Sequence, residues 1–431
     1  MNPAPPSNIL TSRRGGVNLI SIILAAGKGT RLRSPITKAL QPVCGQPMVE
    51  YLLQAAKEAG CKKNIVIAGH QFDQVRQTIG KHASVILQKK QLGSGHAVQQ
   101  ASKTLSGFKG SVLVLYCDTP LIQEGTLKRL LQNHREESTD CTLLSVDSTD
   151  PAGYGRVKRN SRGQVEEIVE DLHATPEEKD IREVNVGCYV FNAKKLFTAL
   201  ERIRKNPSKK EYYLTDVIRI LSQEGCVEAV KTNDPEEVLG VNTRVELARI
   251  QEIMQKRICE GWMERGVGIR DPKSTFIDSN VKIGQDTTLL PHTVIEEGSQ
   301  IGDRCVIGPF ARIRGFSRIG SQSVIGNFVE IVRSHIGSNT QVKHLSYLGD
   351  ARVGDQVNIG AGTITANFDG KKKHATVVCD KAQIGSGTVF VAPVTVGRAA
   401  KTGAGSVVTK GTKIKDGSVF AGVPARELKK K

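Results

Sequence analysis

Two periodicities divide the chain. Between residues 20 and 233, short runs that are apolar at consecutive positions alternate with amphipathic runs of helical spacing. The apolar runs favour strands buried on both faces, and the amphipathic runs favour covering helices. Strand-like runs are 22–24, 64–69, 84–88, 111–118 and 141–146, and helix-like runs include 48–59 and 95–105. The alternation predicts an α/β domain whose mostly parallel sheet carries helices on both faces and binds ligands beyond the carboxyl ends of its strands.

The last third of the chain has a period of six. An aliphatic residue recurs at every sixth position from Ile277 to Ile331, and the step resumes from Val378 to Ile414 after slips and an insertion. Neither a helix nor an ordinary strand has this period, whereas hexapeptide repeats build a parallel β-helix with three short faces per coil. Glycine follows the apolar residue in many repeats and is expected at the tight corners. A β-sandwich with regular turns is improbable over so many uninterrupted repeats.

The stretch between these regions, 236–265, has apolar positions near helical spacing. It predicts one long connecting helix, and an isolated interaction helix has less support. The predicted segments are a flexible tail at 1–18, the α/β domain at 19–235, a linker helix at 236–268, a left-handed β-helix at 269–424 and a basic tail at 425–431.

Charge and cysteine content narrow the choice of partners. Lys and Arg outnumber Asp and Glu by 61 to 43 in 431 residues, which gives a formal charge of +18 and favours anionic partners. Because no aromatic-interleaved basic motif, zinc-finger spacing or RNP-like run is present, small phosphorylated substrates are favoured over nucleic acid. Nine single cysteines without a CxxC pair indicate a reducing cytosol. No apolar run approaches the roughly eighteen residues of a membrane helix.

The sequence LAAGKGTR at Leu24–Arg31 is the first candidate for chemistry. It follows an apolar run and predicts a tight turn that opens a helix, where Gly27 and Gly29 let the backbone approach a phosphate. Lys28, Arg31 and the later Lys38 add positive charge. The loop lacks the third glycine and the acidic residue of a dinucleotide fingerprint, and no Walker A sequence occurs in the chain. It therefore predicts another kind of phosphate site.

A set of motifs places this loop in a known context. In chain order they are LAAGKGTR at 24–31, LQKKQLGSGHA at 87–97, LYCDTPLI at 115–122, GYGRV at 153–157, IVED at 168–171, EVNVG at 183–187, EYYLTDVI at 211–218, GVNTR at 240–244, GNFVEI at 326–331, HLSYLGD at 344–350, NIGAGTITANFDG at 358–370 and VAPVTVG at 391–397. From about Leu19 to Pro424, the chain resembles the bifunctional bacterial N-acetylglucosamine-1-phosphate uridyltransferases and glucosamine-1-phosphate acetyltransferases.

The resemblance implies a nucleotidyltransferase site in the first domain. Residues implied to contact the nucleotide are Leu24, Ala25, Ala26, Gly27, Gln88, Gly93, Ser94 and Tyr116. Those implied to bind the amino sugar are Gly155, Glu170 and Asn185. Arg31 and Lys38 would neutralise the triphosphate, on which phosphoryl transfer depends. Asp118 and Asn242 would hold Mg²⁺ through hard oxygen ligands, although each could instead cap a helix.

The resemblance also implies an acetyltransferase site in the β-helix. His344 would be the general base that removes a proton as the glucosamine amine attacks acetyl-CoA. Arg314 and Lys373 would grip the sugar phosphate, while Tyr347 and Asn358 would orient the sugar. Residues implied to line the CoA groove are Ala361, Asn367, Phe368, Ser386 and Ala404. Lys371–Lys373 interrupts the hexads as an active-site loop does.

At five positions the chain departs from the pattern it resembles. Cys117 stands where glycine is usual, and Leu172 replaces a residue that is commonly charged. Val332 occupies the place of a second phosphate-binding lysine, for which the adjacent Arg333 could substitute. The other two departures are Phe368, in place of tyrosine, and Gly422, near a usual arginine for CoA.

The function implied is acetylation of glucosamine 1-phosphate followed by uridylyl transfer from UTP, giving UDP-N-acetylglucosamine and pyrophosphate. Mg²⁺ is the implied metal, UTP and acetyl-CoA are the co-substrates, and a cytoplasmic homotrimer is expected. Two alternatives stay open. One is a uridyltransferase whose β-helix serves only as a trimerisation scaffold. The other is a non-catalytic regulatory subunit, against which the intact Arg31, Lys38 and Asp118 argue.

Overall fold

The computed structural model describes residues 18–428. The chain divides into two units, one comprising residues up to Gln41 together with Pro47–Glu246, the other Pro42–Gln46 together with Leu247 onward. Most of the tail predicted at 1–18 and the last three residues of the tail predicted at 425–431 lie outside the described residues. Among residues 18–428, no helix combines the length and apolar character needed to cross a membrane.

The part of the chain up to the long helix follows the α/β pattern. The strands before the long helix are β1 Leu19–Ala25, β2 Pro42–Val43, β3 Gln46–Pro47, β4 Lys63–Ala68, β5 Ser84–Leu87, β6 Ser111–Tyr116, β7 Cys141–Asp147, β8 Arg156–Arg159, β9 Val165–Val169, β10 Glu183–Asn192 and β11 Val227–Lys231. The α-helices are α1 Met48–Glu58, α2 Phe72–Ile79, α3 Ser94–Gln99, α4 Glu124–Glu136, α5 Pro176–Lys179, α6 Ala193–Leu200, α7 Asp216–Glu224 and α8 Arg244–Glu264.

The main sheet has the strand order β11-β7-β10-β6-β1-β4-β5. Only β10 runs antiparallel to its neighbours along this path, and β8 and β9 form an antiparallel pair attached to it. Leu24 is the register partner of both Ile67 and Tyr116, and Ala68 is the partner of Leu87. The carboxyl ends of four parallel strands therefore meet at one edge of the sheet, as predicted.

The long helix starts later than predicted. The apolar spacing predicted a helix from 236, whereas α8 begins at Arg244. Val245, counted as an apolar position of that helix, is 81% exposed. The prediction was wrong at this end because Thr243 and Glu246 form hydrogen bonds that start the helix there, as described below.

The hexad region is a parallel β-helix. Its strands are β12 Gly268–Ile269, β13 Phe276–Ile277, β14 Lys282–Ile283, β15 Thr288–Leu289, β16 Val294–Ile295, β17 Gln300–Ile301, β18 Val306–Ile307, β19 Arg312–Arg314, β20 Arg318–Ile319, β21 Val324–Asn327, β22 Glu330–Val332, β23 His335–Ile336, β24 Gln341–His344, β25 Tyr347–Gly349, β26 Ala351–Val353, β27 Asn358–Ile359, β28 Ile364–Ala366, β29 Thr376–Val378, β30 Gln383–Ile384, β31 Val389–Val391, β32 Val394–Val396, β33 Lys401–Thr402, β34 Val407–Val408, β35 Lys413–Ile414, β36 Val419–Gly422 and β37 Ala425–Glu427.

Every third strand belongs to the same sheet, so three sheets wrap one core. Ile277, Ile295, Ile313 and Ile331 are successive register partners in one sheet, and all four are fully buried. Buried hydroxyls join neighbouring coils; for example, Thr287 Oγ1 donates to Gly302 O at 2.7 Å. The core thus combines aliphatic columns with hydroxyls that satisfy backbone carbonyls.

Glycine lies in the turns between strands in many repeats, as predicted, but in many of these turns another residue takes the left-handed conformation. Non-glycine residues such as Phe310, Phe328 and Arg333 hold the left-handed backbone conformation. Gly302 and Gly320 do not have positive φ; instead, a Cβ on either would lie 2.6 or 2.5 Å from a backbone nitrogen of the next coil. These glycines are required by close stacking of the coils rather than by a left-handed conformation.

Candidate active sites

A cavity of about 550 Å³ opens at the carboxyl edge of the first sheet. Its lining residues are Leu24, Ala26, Gly27, Lys28, Gly29, Thr30, Lys38, Gln88, Gln91, Gly93, Ser94, Ala97, Tyr116, Cys117, Asp118 and Glu211. The structure therefore brings together most residues implied to contact the nucleotide. Ala25 is absent from the lining and is buried in the sheet core.

The glycine-rich loop after β1 differs from its prediction. It does not open an α-helix, because Gly29 adopts a left-handed conformation with φ 62° and only the short 3-10 helix Thr30–Leu32 follows. A Cβ on Gly29 would lie 2.9 Å from the Cβ of Lys38, so glycine permits the close approach of these segments. Positive charge at this site therefore comes from side chains rather than from a helix terminus.

Four polar side chains from distant parts of the sequence meet beside this cavity. Lys38 Nζ donates to Asp118 Oδ2 at 2.6 Å and to Asn242 Oδ1 at 3.0 Å. Arg31 Nη2 donates to the same Asn242 oxygen at 2.9 Å. The backbone N–H of Val241 donates to the carbonyl of Asp118 at 2.9 Å, which joins the two segments. A carboxylate oxygen and an amide oxygen thus converge on one ammonium group.

Glu246, which the sequence motifs did not single out, holds the backbone of Asn242 in place. Its Oε2 accepts hydrogen bonds from the backbone N–H groups of Asn242 and Thr243, both at 2.7 Å, while Thr243 Oγ1 accepts from Glu246 N at 3.2 Å. Burial disfavours the charge of Glu246, but these hydrogen bonds outweigh it and hold its pKa below the ordinary value. Thr243 and Glu246 therefore begin α8, and the Asn242 side chain faces the cations.

The opposite side of the cavity is built by hydrogen bonds between loops. Gln88 Nε2 donates to Gly93 O at 3.2 Å and lies 2.9 Å from His96 Nδ1. Gln91 Nε2 donates to Ala26 O at 2.9 Å. Gly93 has φ 100°, and a Cβ there would lie 2.5 Å from the carbonyl oxygen of Tyr212. Gln91 is a further residue that the motifs did not single out, although it lies within one of them.

Among the residues implied to bind the sugar, Gly155 and Asn185 are hydrogen-bonded to each other, and Glu170 is held by a separate hydrogen bond. Asn185 N donates to Gly155 O at 2.8 Å, and Asn185 Nδ2 donates to the hydroxyl of Tyr189 at 2.8 Å. Thr215 Oγ1 donates to Glu170 Oε1 at 2.8 Å. Burial raises the pKa of Glu170, and this hydrogen bond opposes the shift.

Two residues of this unit, Cys117 and Leu172, depart from the family's motifs, and they differ in their surroundings. Cys117 is buried and lines the cavity next to Asp118. Burial is the main cause that raises the pKa of its thiol to about 12, so the thiol stays protonated at neutral pH. Leu172 is 71% exposed. Only Cys117 therefore belongs to the wall of the cavity.

In the second unit, His344 is the last residue of β24. It is exposed, and its register partner on the preceding coil is Asn327 of β21. The Oδ1 atom of Asn327 is buried and has no hydrogen-bond partner among the described residues. Asn358 is the partner of Gln341, at the other end of β24, and Tyr347 begins β25. His344 and Asn358 thus lie on neighbouring strands of one sheet, and Tyr347 begins the next strand along the chain, which belongs to another sheet.

A carboxylate organises the cations near Tyr347. Asp350 accepts two hydrogen bonds from Arg333, from Nε and Nη2, both at 2.8 Å, and one from Asn367 Nδ2 at 2.5 Å. Arg333 is the main cause that holds the pKa of Asp350 below its usual range, and Lys373 acts in the same direction. Val332 is only 2% exposed and uncharged, so the cation at this part of the chain is Arg333.

The inserted loop 367–374 is stabilised by its own hydrogen bonds. Asp369 accepts from the backbone N–H groups of Lys371 and Lys372 at 3.0 and 2.9 Å, and lies 2.6 Å from His374 Nε2. The backbone hydrogen bond from Lys372 is the largest cause that lowers the pKa of Asp369. Phe368 is 60% exposed at the start of the loop.

The remaining predicted acetyltransferase residues lie on the β-helix surface. Arg314 forms ion pairs with Glu330 at 3.3 Å and Glu296 at 3.8 Å. The carbonyl of Ala361 accepts from Gly387 N, and that of Ser386 accepts from Gly405 N, both at 2.7 Å. Ala361, Ser386 and Ala404 therefore stack on successive coils. Gly422 ends β36 with φ 96°.

Comparisons with known proteins agree for both domains of the chain. The nucleotidyl transferase family matches residues 20–263, and the bacterial transferase hexapeptide family matches 280–315 and 298–333. A bifunctional protein GlmU of Shouchella clausii is 42% identical over 90% of this chain and 93% of its own length. Those of Halalkalibacterium halodurans and Pelotomaculum thermopropionicum are 43% and 45% identical, over 91% and 88% of this chain and 94% and 90% of their own lengths.

The chain belongs to the bifunctional GlmU family. A solved structure of UDP-glucose pyrophosphorylase complexed with UDP-glucose also aligns with 56% of this chain and 100% of that chain. Its identity of 16% and TM-score of 0.45 are too low to add an argument.

Membership of the GlmU family confirms several predictions. The protein is a bifunctional uridyltransferase and acetyltransferase, and the substrates of this family are a sugar phosphate, UTP and acetyl-CoA. The predicted fold, an α/β nucleotidyltransferase domain followed by a left-handed hexapeptide β-helix, is also confirmed. The comparisons do not favour a scaffold-only β-helix or a regulatory subunit, because similarity to the GlmU proteins extends through both domains.

Proposed function

We propose that this enzyme first acetylates glucosamine 1-phosphate with acetyl-CoA and then transfers a uridylyl group from UTP to the product. The first step takes place on the β-helix and the second in the cavity of the N-terminal unit. The observation that carries the proposal is the convergence of Asp118 and Asn242 oxygens on Lys38 beside this cavity. The amino sugar and the order of the two steps rest on the motifs.

Asp118 and Asn242 suit a hard divalent cation. Each offers an oxygen ligand, and both oxygens lie within 3.0 Å of one ammonium nitrogen, so they already surround a position where positive charge is stabilised. In the proposed site they would hold Mg²⁺. The ion would supply charge neutralisation for the phosphates of UTP.

Uridylyl transfer then needs positioning rather than a protein nucleophile. Arg31 and Lys38 would bind phosphate oxygens, with charge-assisted contacts of roughly 1.5 to 3 kcal/mol each. Glu170 and Asn185 would hold the amino sugar so that a phosphate oxygen attacks the α-phosphorus in line. The new P–O bond forms as the bond to the β-phosphate breaks, and pyrophosphate leaves. The residues proposed to orient uracil and ribose are Gln88, Gly93, Ser94 and Tyr116.

In acetyl transfer, His344 would take a proton from the glucosamine amine as its nitrogen attacks the thioester carbonyl. The carbon–sulfur bond then breaks and CoA leaves. Arg314 and Lys373 would hold the phosphate, while Tyr347 and Asn358 would orient the ring. The stacked Ala361, Ser386 and Ala404, together with Asn367 and Phe368, are the residues proposed to line the CoA groove.

A crossed pair of variants tests these assignments. Asp118→Ala should lower pyrophosphate release by about 10²-fold or more while acetyl transfer continues, because it removes a metal ligand. His344→Ala should lower CoA release by about 10²- to 10⁴-fold and leave intact the pyrophosphate release from UTP and supplied N-acetylglucosamine 1-phosphate. Each variant serves as the folding control for the other. Loss of both activities in either variant, or of neither, contradicts the assignment.

Two predictions extend beyond these sites. The homotrimer is tested by light scattering of the purified protein, and a monomer would contradict it. The reducing cytosol predicted from the cysteines stays a prediction. All nine cysteines lie within residues 18–428, and none forms a disulfide there.

A further inference from the structure

Lys38 contacts both residues that are proposed to hold the metal. Its Nζ atom lies 2.6 Å from Asp118 Oδ2 and 3.0 Å from Asn242 Oδ1, and its side chain is only 12% exposed. Mg²⁺ binds oxygen ligands at about 2.0–2.1 Å. An ion held by the Asp118 and Asn242 oxygens would therefore need the position that the Lys38 ammonium group now approaches. The ammonium and the ion carry like charge and require the same oxygen lone pairs.

We propose that Lys38 competes with the divalent ion for Asp118 and Asn242, so that metal and nucleotide load together. This inference rests on the proposed metal site. The phosphates of UTP offer Lys38 an alternative anionic partner, and when Lys38 moves to them it releases both oxygens to the ion. A lysine suits this exchange because its compact charge sits on a flexible four-carbon stem.

The surroundings restrict the movement to the Lys38 side chain. Lys38 begins the short 3-10 helix Lys38–Leu40, and Gly29 packs directly against its Cβ. Leu40 N and Gln41 N donate to backbone carbonyls of Thr37 and Lys38 at 3.0 and 3.2 Å. The Cα and Cβ atoms are therefore fixed, and rotation about the outer bonds of the stem transfers the ammonium between partners.

Two neighbouring cations provide graded controls. Arg31 contacts Asn242 at 2.9 Å but makes no hydrogen bond to Asp118 in the described structure, so it covers one of the two oxygens. Lys28 lines the same cavity without an ion pair or hydrogen bond to either residue within residues 18–428. Competition therefore predicts a rank order of Lys38, Arg31 and Lys28, whereas a long-range charge effect predicts similar changes for all three.

The test measures Mn²⁺ binding to the full chain by electron paramagnetic resonance, with and without UTP and always without sugar phosphate. Without UTP, Lys38→Met should bind Mn²⁺ about tenfold more tightly than the wild type, because a charge-assisted competitor is removed. Arg31→Met should give a smaller gain, and Lys28→Met little change. UTP should tighten Mn²⁺ binding more in the wild type than in Lys38→Met. Lys38→Gln repeats the comparison with a polar neutral side chain.

Two results would overturn the competition. One is an equal gain in Mn²⁺ affinity in the Lys28 and Lys38 variants. The other is no gain in affinity in either Lys38 variant when its melting temperature is unchanged. An Asp118→Asn variant separates this outcome from failure of the metal site. If Asp118→Asn leaves Mn²⁺ affinity unchanged, the proposed metal site is wrong. If it weakens binding while the Lys38 variants do not tighten it, only the competition is wrong.

Discussion

Glu170 illustrates how burial controls a single carboxylate. Its pKa is raised mainly by burial, and the hydrogen bond from Thr215 only partly offsets the shift. Between the ordinary pKa of about 4.3 and the raised value, the folded protein binds more protons than the unfolded chain. The stabilising contribution of protonated Glu170 is therefore present below the ordinary pKa and is lost as pH rises through the raised value.

A Glu170→Gln variant should therefore melt at a higher temperature than the wild type at pH 7, because it removes a poorly solvated charge. At a pH below the ordinary carboxyl pKa the two proteins should melt alike. The KM for N-acetylglucosamine 1-phosphate should rise, since the proposed sugar ligand changes. Melting of the intact chain at the two pH values provides the measurement.

The exposed Glu201 supplies the matched control. Glu201→Gln should not reproduce the pH-dependent difference. Equal differences in melting temperature between Glu170→Gln and the wild type at both pH values would show that burial of the Glu170 charge does not lower stability.

The role of the Asn242 side chain could not be predicted from the sequence alone. Asn242 could have been either a helix cap or a ligand, and its motif alone did not decide between them. The structure shows Thr243 and Glu246 starting the helix, which leaves the Asn242 side chain facing Lys38. That distinction depends on hydrogen bonds between three neighbouring residues and a lysine 204 positions away, which spacing cannot specify.

At the scale of elements, the inserted loop shows how one side chain supports a site. Asp369 accepts two backbone hydrogen bonds and lies beside His374, which closes the loop around Lys373. Lys373 also helps to lower the pKa of Asp350, so the loop brings this cation toward the cluster of Arg333 and Asn367. The hydrogen bonds of Asp369 therefore set the loop conformation that places Lys373 near Asp350.

Replacing Asp369 by alanine should loosen this loop and raise the KM for glucosamine 1-phosphate by about tenfold, because misplaced binding groups lose much of their effect. Pyrophosphate release should not change. Steady-state kinetics of the two half-reactions measure both effects.

Asp416 offers a matched control, because it also accepts a backbone hydrogen bond in the β-helix, from Arg398 N at 2.8 Å. Asp416→Ala should leave the KM for glucosamine 1-phosphate unchanged. Equal KM effects of the two substitutions would contradict a specific role for the loop.

Strands and helices could be predicted where a single spacing of apolar residues dominates the sequence. The six-residue step located the aliphatic column from Ile277 to Ile331 because inward positions in each coil must be apolar. The same pattern placed glycines such as Gly302 and Gly320 in the turns between strands but did not indicate the reason for them, because spacing does not distinguish a left-handed turn from close backbone stacking. Similarly, LAAGKGTR predicted a helix start, whereas Gly29 makes a left-handed turn that the sequence equally permits.

At the scale of the whole molecule, the chain combines two kinds of architecture with separate chemical tasks. The first unit gathers cationic side chains and side-chain oxygens at the carboxyl edge of a sheet, as strand order dictates. The second presents His344 and the cluster around Asp350 on a β-helix surface. The fold class followed from the sequence, whereas the partners of Lys38, Arg333 and Glu246 required tertiary contacts.

In the proposed function, one chain produces the acetylated sugar phosphate and then consumes it. The decisive measurement supplies glucosamine 1-phosphate, acetyl-CoA, UTP and Mg²⁺ to the purified protein and follows N-acetylglucosamine 1-phosphate and pyrophosphate separately. We predict that the acetylated intermediate appears before pyrophosphate, and that pyrophosphate release from glucosamine 1-phosphate requires acetyl-CoA. Pyrophosphate release at the same rate without acetyl-CoA, or no acetylated product, would contradict the claim.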